Sequence, residues 1–513
     1  MATIPAEIPV LIVGGGPAGL AMSLLLSRRG TPSLLLDERQ SASTLPRARG
    51  VHSRAMEILR VCGAEPGLRA HALPITPGAQ WRPDLTGPPA GEDVPGGPDE
   101  PVVSPCAGLA VSQDVFEEVL HEHAASYHVA QLRRGTRLES FTVHDGIVEA
   151  RLAGAEPGRA VRARYLVAAD GSRSGIRHQL GIGLTGSGDL GCQFMVAFRA
   201  DLSRWAGPRP RGIYFLTAAA AALIWTHRDH RWVLSIPAGD GPGPDPAAVV
   251  RAALGLPDLP LQVLASGGWT ARGLSADRYA GGDGRVFLTG DAAHQFPPAG
   301  ATGVSTAIAD AHNLAWKLAA VLAGAASPAL LDTYDPERGP VGRRNATETA
   351  AAWSRVWNPA APVFAGRSLR QIDLGYQYRS TAITGDGSPD ADPPGADYVP
   401  AGAPGTRAPH LWLRPGAEST IDLFDQDFTL LTAEPGSGWR TAADQVRPAL
   451  GMTLRRHVMR PAGWPAQYGV SPEGAVLVRP DGHVAWRAAA AATDPQAAAG
   501  ALVSAARAAA QPA

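Results

Sequence analysis

Residues 8–39 read IPVLIVGGGPAGLAMSLLLSRRGTPSLLLDER, and they decide the fold. The apolar run Ile8–Val13 ends at Gly14-Gly15-Gly16-Pro17-Ala18-Gly19. Leu20, Leu24 and Leu25 follow at helical spacing. A second apolar run, Ser33–Leu36, ends at Asp37-Glu38-Arg39. Strand, helix and strand within about 30 residues make a βαβ unit, the opening of a parallel sheet. Gly14, Gly16 and Gly19 have the spacing of a dinucleotide fingerprint. In that motif the first glycine turns tightly, the second admits a pyrophosphate, and the third lets helix and strand pack closely. Asp37, at the end of the next strand, is placed to accept hydrogen bonds from ribose hydroxyls, or else is a solvated strand end.

A second informative stretch lies late in the chain, RVFLTGDAAHQFPPAGATGVSTAIADAHNLAWK at 285–317. Val286, Phe287 and Leu288 read as a strand that delivers Asp291 to a strand end, where open α/β sheets bind ligands. The Pro/Gly-rich loop lets backbone approach a flat ligand, because Gly300 and Gly303 have no Cβ. The helix that follows turns its positive end toward the same place. Such a site suits a planar group that becomes negative on reduction, as a flavin ring does. Between these stretches, Tyr165–Ala169 reads as a buried strand ending at Asp170-Gly171-Ser172-Arg173. His294 and His312 read as packing or surface residues rather than metal ligands, and no metal is expected. Asp310 and Asn313 read as residues that fix the helix.

The 513 residues carry a net charge of −1, and 18% are charged, so no nucleic-acid footprint is expected. Cys62, Cys106 and Cys192 have no CxxC spacing, which favours a reducing cytoplasm over a disulfide framework or a zinc site. No basic region precedes the first apolar run, so no signal peptide is expected. No apolar run reaches the roughly 20 residues of a membrane span, so no membrane partner is expected. Residues 79–105 read as an irregular excursion. Closely spaced strand candidates at Gly212–Leu216, Ala221–Thr226 and Arg231–Ile236 read as an antiparallel sheet in a second domain. Strands near Phe428–Leu431 and Ala475–Val478 mark a separate α/β unit, and an Ala-rich helix closes the chain.

Taken together, GxGxxG at Gly14–Gly19, DG at Asp170-Gly171 and GD at Gly290-Asp291 resemble the class A flavoprotein monooxygenases. These are the group of para-hydroxybenzoate hydroxylase and phenol hydroxylase. PRARGVHSRAMEIL (46–59), SQDVFEEVL (112–120) and DAHNLAWKLAAVL (310–322) agree with it. Residues 405–431 and 475–487 resemble the thioredoxin-like extension of the phenol and polyketide hydroxylase branches. The extension lacks CxxC, which leaves it a packing or homodimer-forming role.

The resemblance implies an α/β fold. A Rossmann-like FAD-binding domain (1–78, 106–180 and 271–350) carries an inserted antiparallel β-sheet substrate domain (79–105 and 181–270). A helical linker region (351–400) then leads to a thioredoxin-like domain (401–513). It also implies FAD, with NADPH or NADH as electron donor, O₂, and an aromatic small-molecule substrate of the polycyclic polyketide phenol type. The chemistry implied is hydroxylation through a flavin C4a-hydroperoxide. Baeyer–Villiger insertion shares that intermediate and stays open, as does a redox-silent flavin-holding partner.

By motif match, Gly14, Gly16, Pro17, Ala18 and Gly19 cradle the pyrophosphate, and Asp37 with Glu38 holds the adenosine ribose. Arg47 and Gln113 contact the centre of the cofactor. Asp170 serves both cofactors, Asp291 binds the ribityl chain, and Pro298 with Gly303, Val304 and Ser305 lies beside the flavin ring. Two positions depart from the family's Pro-x-Gly-Gly-x-Gly-x-Asn: Ala301 replaces a glycine and Ser305 an asparagine. If position 301 needs positive φ, alanine costs about 1–2 kcal/mol there. No catalytic side chain is assigned. Tyr214, Trp225 and Pro298 are the candidate substrate contacts, with Ala221 and Leu223 on the face of Trp225. Tyr214 and Trp225 read equally as core.

Overall fold

The computed structural model describes residues 4–41, 49–90, 102–239, 244–357, 363–393, 395, 397–432, 438–446, 452–461, 463–491 and 494–510. Three sheets organise it.

The first has eight strands. Its central strands Val286–Leu288, Ala160–Ala168, Glu7–Val13, Ser33–Asp37 and Ala130–Arg134 are adjacent and parallel. All five residues of Ser33–Asp37 are buried, as expected where helices cover both faces of a parallel sheet. The hairpin Thr136–His144 and Ile147–Gly154 extends the sheet through Ala160–Ala168. Helix Pro17–Arg28 returns from the first strand to the second. The long helix Thr302–Leu322 packs on it, and Leu314, Trp316 and Leu318 are buried in the shared core. The parallel strands Glu7–Val13, Ala160–Ala168 and Val286–Leu288 therefore all deliver their C-terminal ends to one edge.

The second sheet has seven strands, in the order His294–Gln295, Gln262–Ala276, Leu184–Arg199, Arg231–Pro237, Ala221–His227, Arg211–Leu216 and Thr76–Arg82. All pair antiparallel except the last two, which run parallel. The stretch read from sequence as an irregular excursion thus begins as a strand. Gln80 and Trp81 are both buried there, which a Pro- and Gly-rich composition hid. Residues 91–101 of that excursion lie outside the described residues.

Helix Tyr334–Trp353 and the short helix Leu369–Leu374 lead to the C-terminal unit. Its four strands run Leu454–Val458, Phe428–Thr432, Ala475–Val478 and Val484–Ala488. Helices Gly438–Val446 and Pro495–Ala510 pack together beside it. Trp316 meets Phe428 edge-on at 6.0 Å between ring centres, so the two units share apolar contact.

Candidate active site

The glycine loop shows why each glycine is needed. Gly14 has φ 109°, and a Cβ on it would overlap the Ala169 carbonyl. A Cβ on Gly19 would overlap the carbonyl of Gly14. Gly16, by contrast, has nothing within 4 Å of where its Cβ would lie. Two of the glycines are therefore pressed against protein, and the middle one opens onto free space. Pro17 starts the helix, and Gly16 is its uncapped N-terminal neighbour. A helix start without a side-chain cap leaves N–H donors for an anionic ligand.

The other two motifs meet this loop. Gly14 abuts the Ala169-Asp170 backbone. Gly290, at φ 60°, would place a Cβ 2.9 Å from the methyl of Ala18. Asp170 accepts from the Ile176 N–H at 3.3 Å through Oδ2, while its buried Oδ1 has no partner among the described residues. Burial pushes its carboxyl above the usual range.

At the end of the second strand, Asp37 is buried and accepts from Arg39 through Nε (3.2 Å) and Nη2 (3.0 Å). Arg39 also donates to the Gly15 carbonyl at 3.1 Å, tying strand end to glycine loop. Glu38 is exposed. Gln113 begins helix Gln113–Ser126 and donates to Glu117 at 2.8 Å. Arg47 lies outside the described residues. Arg49 is placed, and its guanidinium donates to the Trp225 carbonyl at 3.1 Å and to the Gly212 carbonyl. Burial pushes its pKa down to about 10. This cross-link between the first chain segment and the second sheet was missed from the sequence, although it lies in a segment that carried the resemblance.

Asp291 is exposed in the 3₁₀ turn Gly290–Ala292. Behind that turn sits a buried knot. Asp310 accepts from the Gly290 N–H (3.2 Å), His294 Nε2 (2.7 Å) and Arg338 Nε (2.7 Å). Burial alone would raise the Asp310 carboxyl, but Arg338 and His294 outweigh it and hold it below the usual range. The helix residue expected to fix the fold locally thus anchors the loop.

Pro298 is exposed, Gly303 has open space at its Cβ position, and Val304 is half-buried against the core. Ala301 takes φ 54°, ψ 35°, the left-handed region. The strain anticipated for alanine is therefore present. Ser305 is buried, and its Oγ accepts from the His52 N–H at 3.0 Å.

The second sheet has two apolar faces. Tyr214 and Trp225 lie on the outer one, in a core with Leu223, Trp232, Leu234 and Leu254 of helix Pro246–Leu254. The Tyr214 hydroxyl is engaged by the Arg211 N–H at 3.0 Å and the Ala206 carbonyl at 3.3 Å. The opposite face carries Trp81, Phe215 and Ala222, which cluster with Ala299 of the Pro298 loop. Trp81 stacks on Phe215 at 5.3 Å, and Trp357 meets Phe215 edge-on at 5.3 Å. The sequence alternation placed Ala221, Leu223 and Trp225 on one face but did not show that the other face, with Phe215 and Ala222, is the one packed on the loop.

Three glycine-bearing turns meeting at parallel strand ends, with an open Gly16, a buried ribose-type carboxylate and a second loop built for close approach, define a dinucleotide-type redox cofactor site. FAD fits these residues: the cradle is open only where a pyrophosphate would lie, and Asp170 retains a free acceptor beside it.

Comparison with known proteins agrees. Residues 7–349 match the FAD binding domain family, and residues 401–511 match the aromatic-ring hydroxylase C-terminal family. The chain is 38% identical to a tetracenomycin B2 monooxygenase-dioxygenase of Streptomyces olivaceus, over 96% of this chain and 97% of that protein. It is 36% identical to an aklavinone 12-hydroxylase of Streptomyces purpurascens, over 95% and 96%. An aklavinone-11 hydroxylase crystallised with FAD and aklavinone superposes with TM-score 0.89 at 34% identity, covering 99% of this chain and all of that one. The chain belongs to the FAD-dependent aromatic-ring hydroxylase family and is a flavin monooxygenase. Among the described residues no helix is long and apolar enough to cross a membrane.

Proposed function

We propose that this enzyme hydroxylates a flat, multi-ring aromatic phenol of the polyketide type, consuming O₂ and NADPH or NADH. The observation that carries this reading is the apolar cluster of Trp81, Phe215, Ala222 and Trp357 that packs the second sheet onto Ala299 of the Pro298 loop. Trp81 and Phe215 are 2% and 5% exposed, so the cluster forms a fixed apolar backing to the loop, the setting a flat apolar substrate requires. The names of the relatives, tetracenomycin and aklavinone oxygenases, support a polycyclic substrate class.

Bound FAD supplies the redox chemistry: it takes two electrons from the nicotinamide donor and passes one atom of O₂ to the substrate and the other to water. The chain's residues bind and orient. Gly14–Gly19 and the helix start at Pro17 hold the pyrophosphate. Asp37 takes the adenosine ribose, and Glu38 flanks it. Arg47 and Gln113 serve the middle of the cofactor, Asp170 the region between the glycine loop and the donor, and Asp291 the ribityl chain. Pro298 and the Gly303-Val304-Ser305 backbone border the ring. The inner sheet face excludes water and aligns the substrate; Tyr214 and Trp225 support it from the far side. The domain limits given above and a cytoplasmic setting belong to the same reading, the latter supported by three free cysteines.

The names of two relatives join monooxygenase to dioxygenase, so a second outcome, Baeyer–Villiger-type or other oxygen insertion, shares the same site. Anaerobic reduction with NADPH and NADH, with and without polycyclic phenols, tests the reading. Substrate-stimulated reduction is expected. Reduction that no donor supports would overturn it.

A further inference from the structure

Against the Pro298–Ser305 loop lies a small cavity with mixed polar and apolar walls. Its volume is about 10 Å³, and its lining includes His52, Arg54, Thr302, Ser305, Asp373 and Tyr376. Thr302 Oγ1, Tyr376 OH and Arg54 Nε all belong to lining residues, and none has a hydrogen-bond partner among the described residues. The three residues are 4%, 4% and 3% exposed, so bulk water does not satisfy these atoms. A buried polar atom left unpaired is destabilising, so each of these atoms calls for a partner. The volume suits one water molecule, and an internal water typically makes about three hydrogen bonds. The carboxylate of Asp373 accepts from the Arg54 N–H at 3.0 Å. Burial raises the Asp373 pKa, opposed by His52 and Arg54.

The segment 50–52 clasps the loop from this side. His52 Nε2 lies 2.6 Å from the Gly300 carbonyl, which can only accept, so Nε2 carries the proton. The His52 N–H donates to Ser305 Oγ at 3.0 Å. A Cβ on Gly50 would come within 2.9 Å of the Ala301 methyl. Both positions that depart from the family pattern, Ala301 and Ser305, thus meet this segment. The Ser305 hydroxyl is engaged from behind.

We propose that His52 is a positioning residue for the flavin loop, seated on a single internal water that bridges Thr302, Tyr376, Arg54 and Asp373. The His52 ring fixes the carbonyl of Gly300, its backbone fixes Ser305, and the water joins the start of helix Thr302–Leu322 to Asp373 and Tyr376. The loop is thereby set for the ring of the cofactor without an asparagine at position 305. The inference rests on FAD binding by this chain.

The test is fluorescence titration of apoprotein with FAD, together with the visible spectrum of the bound flavin and the unfolding midpoint of the apoprotein. His52→Ala is expected to weaken FAD binding about tenfold, the size of one lost hydrogen bond to a positioned group, and to shift the flavin bands. His52→Gln, which returns an N–H donor near the Nε2 position, is expected to recover most of the loss. Tyr376→Phe removes one partner of the water and is expected to change the flavin bands in the same direction. A high-resolution structure of the holoenzyme is expected to show one water in the cavity. Wild-type affinity and an unshifted spectrum in His52→Ala would overturn the proposal, as would a dry cavity or a His52→Gln variant no better than alanine. A wild-type chain that binds no FAD would overturn both this proposal and the cofactor reading. Normal wild-type binding with an unaffected His52→Ala would overturn only this one.

Discussion

The two glycine-bearing loops at the parallel strand ends are held by different physics. The early loop, Gly14–Gly19, is fixed by backbone pressed on backbone: Gly14 against Ala169, and Gly19 against Gly14. The late loop, Gly290–Ser305, is fixed by side chains. Asp310, His294 and Arg338 hold its start, and His52 holds its end. Steric fixation needs particular residues at particular spacings and tolerates no Cβ. Fixation by charge and hydrogen bonds tolerates changes in the loop itself, provided the partners stay. This is how Ala301 can stand at φ 54° and Ser305 can replace an asparagine.

The sharpest way to break the comparison is at Asp310. Asp310→Asn removes the charge that compensates buried Arg338 and is expected to cost about 3–5 kcal/mol. Denaturant unfolding of the holoenzyme measures it; a loss under about 1 kcal/mol would show that the knot does not anchor the loop.

Acid acts on the same group. The Asp310 carboxyl is held low in the folded protein. Its contribution is therefore complete above the unfolded value of about 4 and lost as pH falls through the lower folded value. Glu337 and Glu57, which pair with Arg479 and Arg407 across the junction with the C-terminal unit, are also held low, as is Asp481 beside Arg479, and they add to the loss. Unfolding midpoints measured between pH 7 and about pH 3 should fall steadily below about pH 4. A flat profile would contradict this assignment.

At the early loop, two glycines should respond differently. Gly14→Ala forces a Cβ into the Ala169 carbonyl at φ 109° and is expected to destabilise the protein by about 3 kcal/mol, FAD or no FAD. Gly16→Ala adds a Cβ with no protein atom within 4 Å, so apoprotein stability should change by about 0.5 kcal/mol or less while FAD binding is weakened. Equal effects of the two changes on apoprotein stability would remove the distinction between packing and cradle.

A similar pair separates the faces of the second sheet. Phe215→Ala should raise the KM for an aromatic substrate, whereas Tyr214→Phe should leave KM unchanged and cost about 1 kcal/mol of stability through its lost hydrogen bonds. The reverse pattern would put the substrate on the outer face.

The smallest effect is expected at Ala301. Glycine relieves the left-handed strain but adds unfolded-state entropy, so Ala301→Gly should stabilise by about 0.5–1 kcal/mol. Ser305→Asn changes the loop's rear contact, and a changed coupling of NADPH use to product is expected.

What was legible in the sequence follows the same division. The parallel strands and all three motifs could be read because glycine spacing and strand-end carboxylates report on local backbone. The charge-based supports could not. Arg407 lies 350 residues from Glu57, and Arg479 lies 142 from Glu337, with nothing local to join them. Asp310 was read as a helix-fixing residue, and only the fold brought Arg338 and the Gly290 N–H to it. Tyr214 and Trp225 show a related limit. Period-two alternation sorts side chains into two faces, but when both faces are apolar it does not say which one meets the active site.

The proposed activity is FAD-dependent transfer of one oxygen atom to a polycyclic phenol. Its most direct test is mass spectrometry of the product formed under ¹⁸O₂ with FAD, NAD(P)H and a panel of such phenols. The account predicts a product that carries one ¹⁸O atom, with its ring system intact. A product without ¹⁸O, or NAD(P)H consumption that yields only hydrogen peroxide with every phenol, would contradict it.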